Sequence, residues 1–471
     1  MSGGRYQLIV VGAGPAGMAA AALAARRGLR TLILDENPGP GGQVYRAAET
    51  AGAGPEVLGP DHGRGRLLAE DLRSSGADYL PGAAVWRLGK TGDLATPDRL
   101  EVGFTVSGRA RLIRAPHVLI ATGALERPMP IPGWTLPGVM TAGAAQTILK
   151  AEGMAFEGAV FAGLGPLLYL TAAQYVRAGV PPRAVLDCTP AVNRLRTFRH
   201  LSRAFDRMDA LGKGQGWIRE LKQAGVPIYR AVRSIEARGD SRLRSVTFAP
   251  RGRRRTIETA HLLLHQGVVP NTQLALAAGC AHRWDSEQLC WRPDLGDWFQ
   301  SSIPGIRIAG DGGGIEGAEA AEHQGRLAGL AVLVDLGLIS EGERDTLGGA
   351  HLRAVAAERR FRPFLETLFR PADSFRIPAD PDTVVCRCEE VTAGEVRRCV
   401  RLGCQGPNQL KAFCRAGMGP CQGRLCSLTV SEIIAAERGT LVPRVGFLRP
   451  RPPVKPVSLG ELAALDGPED D

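Results

Sequence analysis

The sequence predicts an α/β protein with two dinucleotide-binding, Rossmann-like domains, the second inserted into the first, followed by a small helical cysteine domain. Three observations carry this. A glycine-rich loop between a strand and a helix occurs twice, at Gly12 and at Gly163. A further strand, ending on Gly310-Asp311, lies far downstream of both. Seven of the ten cysteines fall between Cys386 and Cys426. A chain of 471 residues exceeds one core, and roughly 150 residues per domain asks for about three. The expected division is 1–150 and 271–340 for two parts of the first domain, and 151–270 for the insert. A linker at 341–380, the cysteine domain at 381–440 and a proline-rich tail at 441–471 complete it.

Tyr6-Gln-Leu-Ile-Val-Val11 reads as a buried strand. It runs into Gly12-Ala13-Gly14-Pro15-Ala16-Gly17 and an Ala-rich helix from Met18 to Arg27, closed by Gly28. Gly12 makes the tight turn and Gly14 lets the backbone approach a pyrophosphate. Gly17 allows close helix–strand packing, and the helix N-terminus offers N–H groups to the anion. A second strand, Thr31 to Leu34, ends on Asp35, with Glu36 beside it. Asp35, 23 residues after Gly12, is placed to accept hydrogen bonds from ribose hydroxyls. Gly41-Gly42-Gln43 follows, then the strand around Val85, and Val118 to Ile120 running into Ala121-Thr122-Gly123.

Residues 158–187 repeat the pattern with Gly163-Leu-Gly165-Pro-Leu-Leu168 and an acidic residue, Asp187, 24 residues after Gly163. Leu168 stands where the third glycine belongs, which pushes the helix from the strand and weakens the case for a bound pyrophosphate. A vestigial fold and a site holding an adenine nucleotide both remain open. Cys188, Cys280 and Cys290 read as buried and inert. His265, His282 and His323 have no partner legible in the sequence and read as structural. No acid–base pair or nucleophile assembles, so no catalytic residue is assigned.

In the last third, Cys386-Arg-Cys388 and Cys421-Gln-Gly-Arg-Leu-Cys426 are separated by 32 residues. Thr392-Ala-Gly-Glu395 has capping-box form, so a helix starts there and stops at Gly403. Val396, Cys399 and Val400 share one apolar face, which places Cys399 in the core. Four thiolates from two short loops suit tetrahedral zinc or an iron–sulfur cluster, with Cys414 as the spare cysteine.

These segments resemble the FAD-dependent pyridine nucleotide–disulfide reductase superfamily over about residues 5–335. The resemblance implies FAD at the first site. It implies Gly310 and Asp311 at the ribityl and phosphate region, Ala121-Thr122-Gly123 at the turn, and Val85 touching adenine through its backbone. The redox disulfide of that superfamily is missing: no cysteine follows Gly41-Gly42, and Cys188 has no neighbouring partner. The cysteine spacing resembles the BFD-like [2Fe–2S] domain, which implies Cys386, Cys388, Cys421 and Cys426 as ligands. The second pair is wider here than in that family, leaving [2Fe–2S] and [4Fe–4S] both open.

The full arrangement is similar to the α-type subunits of heteromeric bacterial amine dehydrogenases, a family that includes chains of opine oxidase, D-hydroxyproline dehydrogenase and hydrogen cyanide synthase. It adds the segment His265-Gln-Gly-Val-Val-Pro-Asn271 and the tail Arg451-Pro-Pro-Val-Lys-Pro to the motifs above. The resemblance implies an oxidoreductase that transfers electrons as one subunit of an amino-acid or opine dehydrogenase. Its implied partners are an FAD-containing β subunit of amine-oxidase type and a small ferredoxin-like γ subunit, with FMN at a subunit junction. A stand-alone NAD(P)H-dependent reductase and a zinc-stabilised, non-catalytic assembly subunit are the competing readings.

Composition excludes several classes. No unbroken run of about 18 apolar residues occurs, so no transmembrane segment is expected. The start, Met1-Ser-Gly-Gly-Arg, lacks signal-peptide order, and a cytoplasmic location is expected. The net charge of +10 comes from Arg, since Lys occurs six times. That balance suits a solvated surface, acidic partners, or peripheral association with the inner face of a membrane. Its densest run, Arg251-Gly-Arg253-Arg254-Arg255, falls in an expected hairpin turn with no interleaved aromatics, so nucleic-acid binding is not expected. The tail from Val442 leaves docking on a partner and disorder both open.

Overall fold

The computed structural model describes residues 6–91, 100–204 and 207–465. The expectations placed on residues 1–5 and on the acidic end at Pro468-Glu-Asp-Asp lie outside them. The first sheet is parallel, in the order Ile306–Ile308, His117–Ile120, Leu8–Val11, Thr31–Asp35, Asp78–Pro81. Its middle strand, Leu8–Val11, is apolar at every position because both faces are covered. Side chains alternate across a strand: Leu8, Val10 and Ile33 join the helical side, while Ile9, Val11, Leu32 and Leu34 join the other. The helical side is the pair Pro15–Arg26 and Ala318–Asp335. The opposite side is an antiparallel meander, Ala84–Lys90, Leu100–Val106 and Arg109–Ala115, which supplies Val85, Leu88, Val102 and Phe104.

The two helices cross almost backbone to backbone. A Cβ on Gly325 would stand 2.0 Å from the Ala16 carbonyl oxygen, and one on Gly329 would stand 3.2 Å from that of Ala20. This crossing brings the Gly310-Asp311 strand end beside the first glycine loop.

The second sheet is also parallel, in the order Ile228–Arg230, Ala184–Asp187, Val160–Leu164, Leu262–Gln266, Val139–Thr141. It therefore begins before residue 151, the boundary expected from the sequence. Val139–Thr141 pairs with Leu262–Leu264 and feeds the helix Ala142–Glu152, whose N-cap is Thr141. A three-residue strand is too short to show a period, so the sequence marks the boundary late. Two short antiparallel strands, Ala124–Glu126 and Val268–Pro270, join the domains. The Arg251 run does sit in the turn between Ser245–Pro250 and Arg255–Glu258.

The expected linker is corrected more sharply. Residues 341–368 form one helix, started by the Ser340 hydroxyl accepting from the Glu343 N–H. Leu347 and Val355 pack on the first core, and Phe361 and Phe364 pack around Ala204. Its dense charge hides a sparse apolar stripe. The cysteine domain has the predicted capping box at Thr392 and Glu395, starting the helix Ala393–Arg401, with Cys399 buried. Two more helices, Pro407–Cys414 and Ser427–Glu437, complete its core.

Within the described residues, the tail around Val454 lies against the first domain. The Val454 N–H donates to the Trp86 carbonyl at 2.9 Å, and its side chain is buried among Val85, Leu88 and their neighbours. A short proline-bounded stretch carrying one valine is too brief to reveal that packing.

The helix crossing gives the first testable outcome. Gly325→Ala forces a Cβ onto the Ala16 carbonyl and is expected to lower unfolding stability by about 1–3 kcal/mol. Gly329→Ala, with 3.2 Å available, should cost clearly less, and urea unfolding of both variants checks the ranking.

Candidate functional site

The C-terminal ends of both sheets open on one cleft of about 1230 Å³. Ligands collect at such strand ends because helix N-termini and free loop N–H groups converge there. At the first loop, Gly12 has φ +105°, and a Cβ there would meet the Ala121 carbonyl oxygen at 2.5 Å. A Cβ on Gly17 would stand 1.8 Å from the Gly12 carbonyl oxygen. Gly12, Gly14, Pro15 and Ala16 line the cleft, as do Ala121, Thr122, Gly123, Val85, Gly310 and Asp311. Ala13 and Gly17 are buried behind this wall. Thr122 donates to the Asn271 carbonyl at 3.2 Å, tying the turn to the returning strand. Asp311 Oδ1 accepts from the Glu316 and Gly317 N–H groups, both at 2.9 Å, so this carboxylate also holds the start of the Ala318 helix.

Asp35 and Glu36 both line the cleft. The Asp35 carboxylate is committed within the protein: Oδ2 accepts from the Ala13 N–H at 2.5 Å, and Oδ1 from the backbone and side chain of Asn37, each at 2.7 Å. Asp35 thereby shapes the loop while lining the cleft, and Glu36, half-exposed on the cleft wall, pairs with Lys455.

Gly42 and Gln43 also line the cleft. Gly42 rides directly over the first loop, where its Cβ would come 2.9 Å from Gly14 Cα. Beneath them lies Lys150, which donates to the Gln43 carbonyl at 3.1 Å, the Val44 carbonyl at 2.8 Å and Gln146 Oε1 at 2.9 Å. Burial, with Arg46 adding repulsion, pulls its pKa down to about 7. No motif marks this lysine in the sequence.

At the second loop, Gly165 lines the cleft, while Gly163 is buried with its Cβ position 1.6 Å from the His265 carbonyl oxygen. Leu168 is fully buried in a core with Phe161 and Tyr175. Asp187 accepts from the Tyr169 hydroxyl at 2.9 Å and the Thr189 N–H at 2.8 Å. The reading of His265 as partnerless is overturned. Its Nδ1 is 2.6 Å from Glu126 Oε1, and Glu126 Oε2 accepts from the Gly143 N–H at 2.9 Å. Glu126 lies 139 residues away on the facing link strand, so no local pattern could pair them. His323 likewise meets His351, Nδ1 to Nδ1 at 2.9 Å. His282 contacts the Cys280 carbonyl, and burial pushes its pKa down to about 4.

The four predicted ligand cysteines gather as two pairs, Cys386 with Cys426 and Cys388 with Cys421. Hydrogen bonds from Cys426 and from the backbone around Gly417, Glu389 and Cys388 pull the Cys386 thiol down to about 6, against the effect of burial. Gly419 leaves room for Cys388, whose Cβ lies 2.2 Å from where a side chain would start. Among the described residues no group of three or more His, Cys, Asp or Glu side chains stands in metal-holding geometry. The fit to a cluster is thus one of donor type, backbone N–H groups and proximity, since Cys426 feels Cys386, Cys421 and Cys388 as neighbours. Cys414 pairs elsewhere, with Cys399. Cys188, Cys280 and Cys290 are buried, as expected.

This domain is joined to the cleft. Gln273 Nε2 donates to the Cys421 and Gln422 carbonyls at 2.9 and 3.0 Å, and its Oε1 accepts from Arg424 at 2.8 Å. Gln273, Arg424 and Leu425 all line the cleft. Arg424 also donates to the Val454 carbonyl, and Gln422 holds Pro453 and Arg451. Beyond them, Lys455 pairs with Glu36. The tail is a strap across the mouth of the first site, anchored at the cysteine loop. No described helix is long and apolar enough to cross a membrane.

This chain belongs to the pyridine nucleotide–disulphide oxidoreductase family, whose model matches residues 6–325; the sarcosine oxidase A3 domain matches residues 381–466. It is a flavoprotein of the FAD-binding kind and an oxidoreductase subunit. Within the family it groups with an opine oxidase subunit of Rhizobium meliloti, 48% identical over 98% of this chain and 88% of that one. The hydrogen cyanide synthase subunit HcnB of Pseudomonas aeruginosa is 36% identical over 97% and 98%. These relatives mark it as a flavoprotein subunit of a heteromeric dehydrogenase. The fold matches that of L-proline dehydrogenase from P. horikoshii, with a TM-score of 0.69 at 18% identity over 98% of this chain and 79% of that one.

Two outcomes follow from the site. Lys455→Glu sets like charges against each other at Glu36 and should speed FAD release about 3–10-fold, read by the rise in flavin fluorescence on dilution. The Lys150 pKa is lower folded than unfolded, so above about pH 7 the unfolded chain holds the extra proton and this group makes stability rise with pH up to about 10. Lys150→Met should remove that rise, seen as a Tm difference from wild type that changes across the window.

Proposed function

We propose that this chain is the FAD- and iron–sulfur-containing electron-transfer subunit of an amino-acid or opine dehydrogenase, taking electrons from a partner flavoprotein subunit that oxidises the amine. The observation that carries the reading is the Gln273 bridge, where one side chain both lines the flavin cleft and holds the Cys421 carbonyl. Bound FAD would supply two-electron acceptance and one-electron delivery, and a [2Fe–2S] cluster the one-electron relay. The chain's own residues hold these groups. Gly14, Ala16, Asp35, Glu36 and Asp311 face the nucleotide, while Cys386, Cys388, Cys421 and Cys426 are the cluster's donors. Gln273 and Arg424 fix the spacing between the two sites. Among the described residues no cysteine lines the cleft, which supports electron relay over disulfide exchange.

The partners in this reading are an amine-oxidising FAD subunit, with FMN at the junction, and a small ferredoxin-like subunit. The relatives named for opine oxidase support that substrate class. A cytoplasmic location, with peripheral association at the inner face of the membrane, is part of the same proposal. Co-expression with the partner should give amine-dependent dye reduction that neither chain shows alone, and iron with sulfide in the purified complex. Turnover of an imino acid by the isolated chain, or zinc in place of iron, would overturn it.

A further inference from the structure

Residues 191–204 lie outside the cleft and contribute nothing to its lining. They read Ala-Val-Asn-Arg-Leu-Arg-Thr-Phe-Arg-His-Leu-Ser-Arg-Ala, with four arginines, one histidine and no acid. The helix Ala191–Thr197, the 3₁₀ turn Phe198–His200 and the helix Leu201–Ala204 follow one another without a break. One side of this rod is fixed to the 341–368 helix and the chain just after it. Asn193 donates to the Leu368 and Arg370 carbonyls at 3.1 and 2.9 Å, and Thr197 donates to the Asn193 carbonyl at 2.6 Å. Ala204 packs with Phe361 and Phe364.

That anchoring decides what faces water. At about 100° per residue, Leu195 and Phe198 fall on the side opposite Asn193, Thr197 and Ala204. They are 70% and 67% exposed, and Val192 and Leu201, three residues to either side, are also exposed. Arg196, Arg199 and Arg203 flank this ridge along one side and Arg194 along the other. Arg194 reaches Asp187 at 3.7 Å while half-exposed, and Arg199 bonds to His200. Among the described residues Arg196 and Arg203 have no acidic partner. An apolar crest edged by free guanidinium groups is the pattern that seats a helix at a lipid headgroup boundary. The crest is one narrow ridge of four side chains, small beside the roughly 800 Å² that a stable protein interface asks of each partner. The Arg251–Arg255 turn offers the contrast, since it is equally exposed and basic but has no apolar crest.

We propose that residues 191–204 dock this chain on an anionic lipid surface, with Leu195 and Phe198 entering the headgroup boundary and the four arginines meeting lipid phosphates. The inference does not rest on the electron-transfer reading. It gives the peripheral association named above a particular element. Because Asn193 and Thr197 already hold the rod in place, docking does not have to order it, which removes a cost that free amphipathic segments carry.

The test uses the full-length, flavin-loaded chain and co-sedimentation with vesicles of phosphatidylcholine, alone or with about 30% phosphatidylglycerol. Binding to the anionic vesicles should be about 10-fold tighter or more, and should weaken as salt rises. Leu195→Glu combined with Phe198→Glu should weaken it about 10-fold or more. Arg196→Glu combined with Arg203→Glu should do the same, since each arginine is worth about 5-fold at such a surface. All four side chains are exposed, so Tm and flavin content should hold. Arg253→Glu combined with Arg254→Glu makes the same change of charge away from the crest and should cost clearly less. Equal binding to both kinds of vesicle, binding to neither, or a larger loss from the Arg253 and Arg254 changes would overturn the proposal. Binding kept in both 191–204 variants would overturn it too, leaving the membrane association itself standing on another surface. So would failure of either variant to assemble with its co-expressed partner subunit, because the ridge would then be a protein contact.

Discussion

At the head of the first sheet, the carbonyl of Gly12 occupies the space a side chain on Gly17 would need, and Gly12 itself presses on the carbonyl of Ala121. Backbone meets backbone with no Cβ between. Everything that defines the cleft depends on that spacing. It sets the helix N-terminus against the strand ends and lets Gly42 ride over Gly14. The same kind of contact recurs where Gly325 admits Ala16, which seats the Gly310-Asp311 strand end against the nucleotide loop. A methyl group at any of these points would widen the site at its source, because close-packed interiors do not absorb such insertions locally.

The polar groups divide their labour on this frame. Asp35 and Asp311 each spend oxygens on backbone N–H groups, so carboxylates that look like ligand contacts also brace the loops. Lys150 does the same from below, without an opposite charge. Glu36, on the cleft wall, instead takes an opposite charge from Lys455. Between the flavin domain and the cysteines, Gln273 uses both ends of its amide, donating to one loop and accepting from Arg424. An amide suits this junction, since it joins two sites without adding charge between them.

Much of the first domain was legible because its signals are local. Strand, glycine loop, helix and acidic residue follow one another within about 30 residues, each needed for a stated physical reason. The capping box at Thr392 and the buried face of Cys399 were legible on the same grounds. What escaped was either long-range or weakly patterned. The Glu126–His265 pair and the Gln273–Cys421 bridge join residues far apart in the chain. Val139–Thr141 is too short for periodicity, and the 341–368 helix shows few apolar positions among its charges.

The strap has a consequence in time rather than in space. The pocket it crosses is built from the first 130 or so residues and the strand at 306–308. Val454 and Lys455 are translated after every one of those elements and after all seven cysteines of the last domain. Flavin can therefore enter an open mouth while the rest of the chain is still being made, and the strap settles over it only once its anchor loop at Gln422 has formed. The strap's hold on that mouth therefore depends on the last-made loop that anchors it, through the contacts of Gln422 to Pro453 and Arg451.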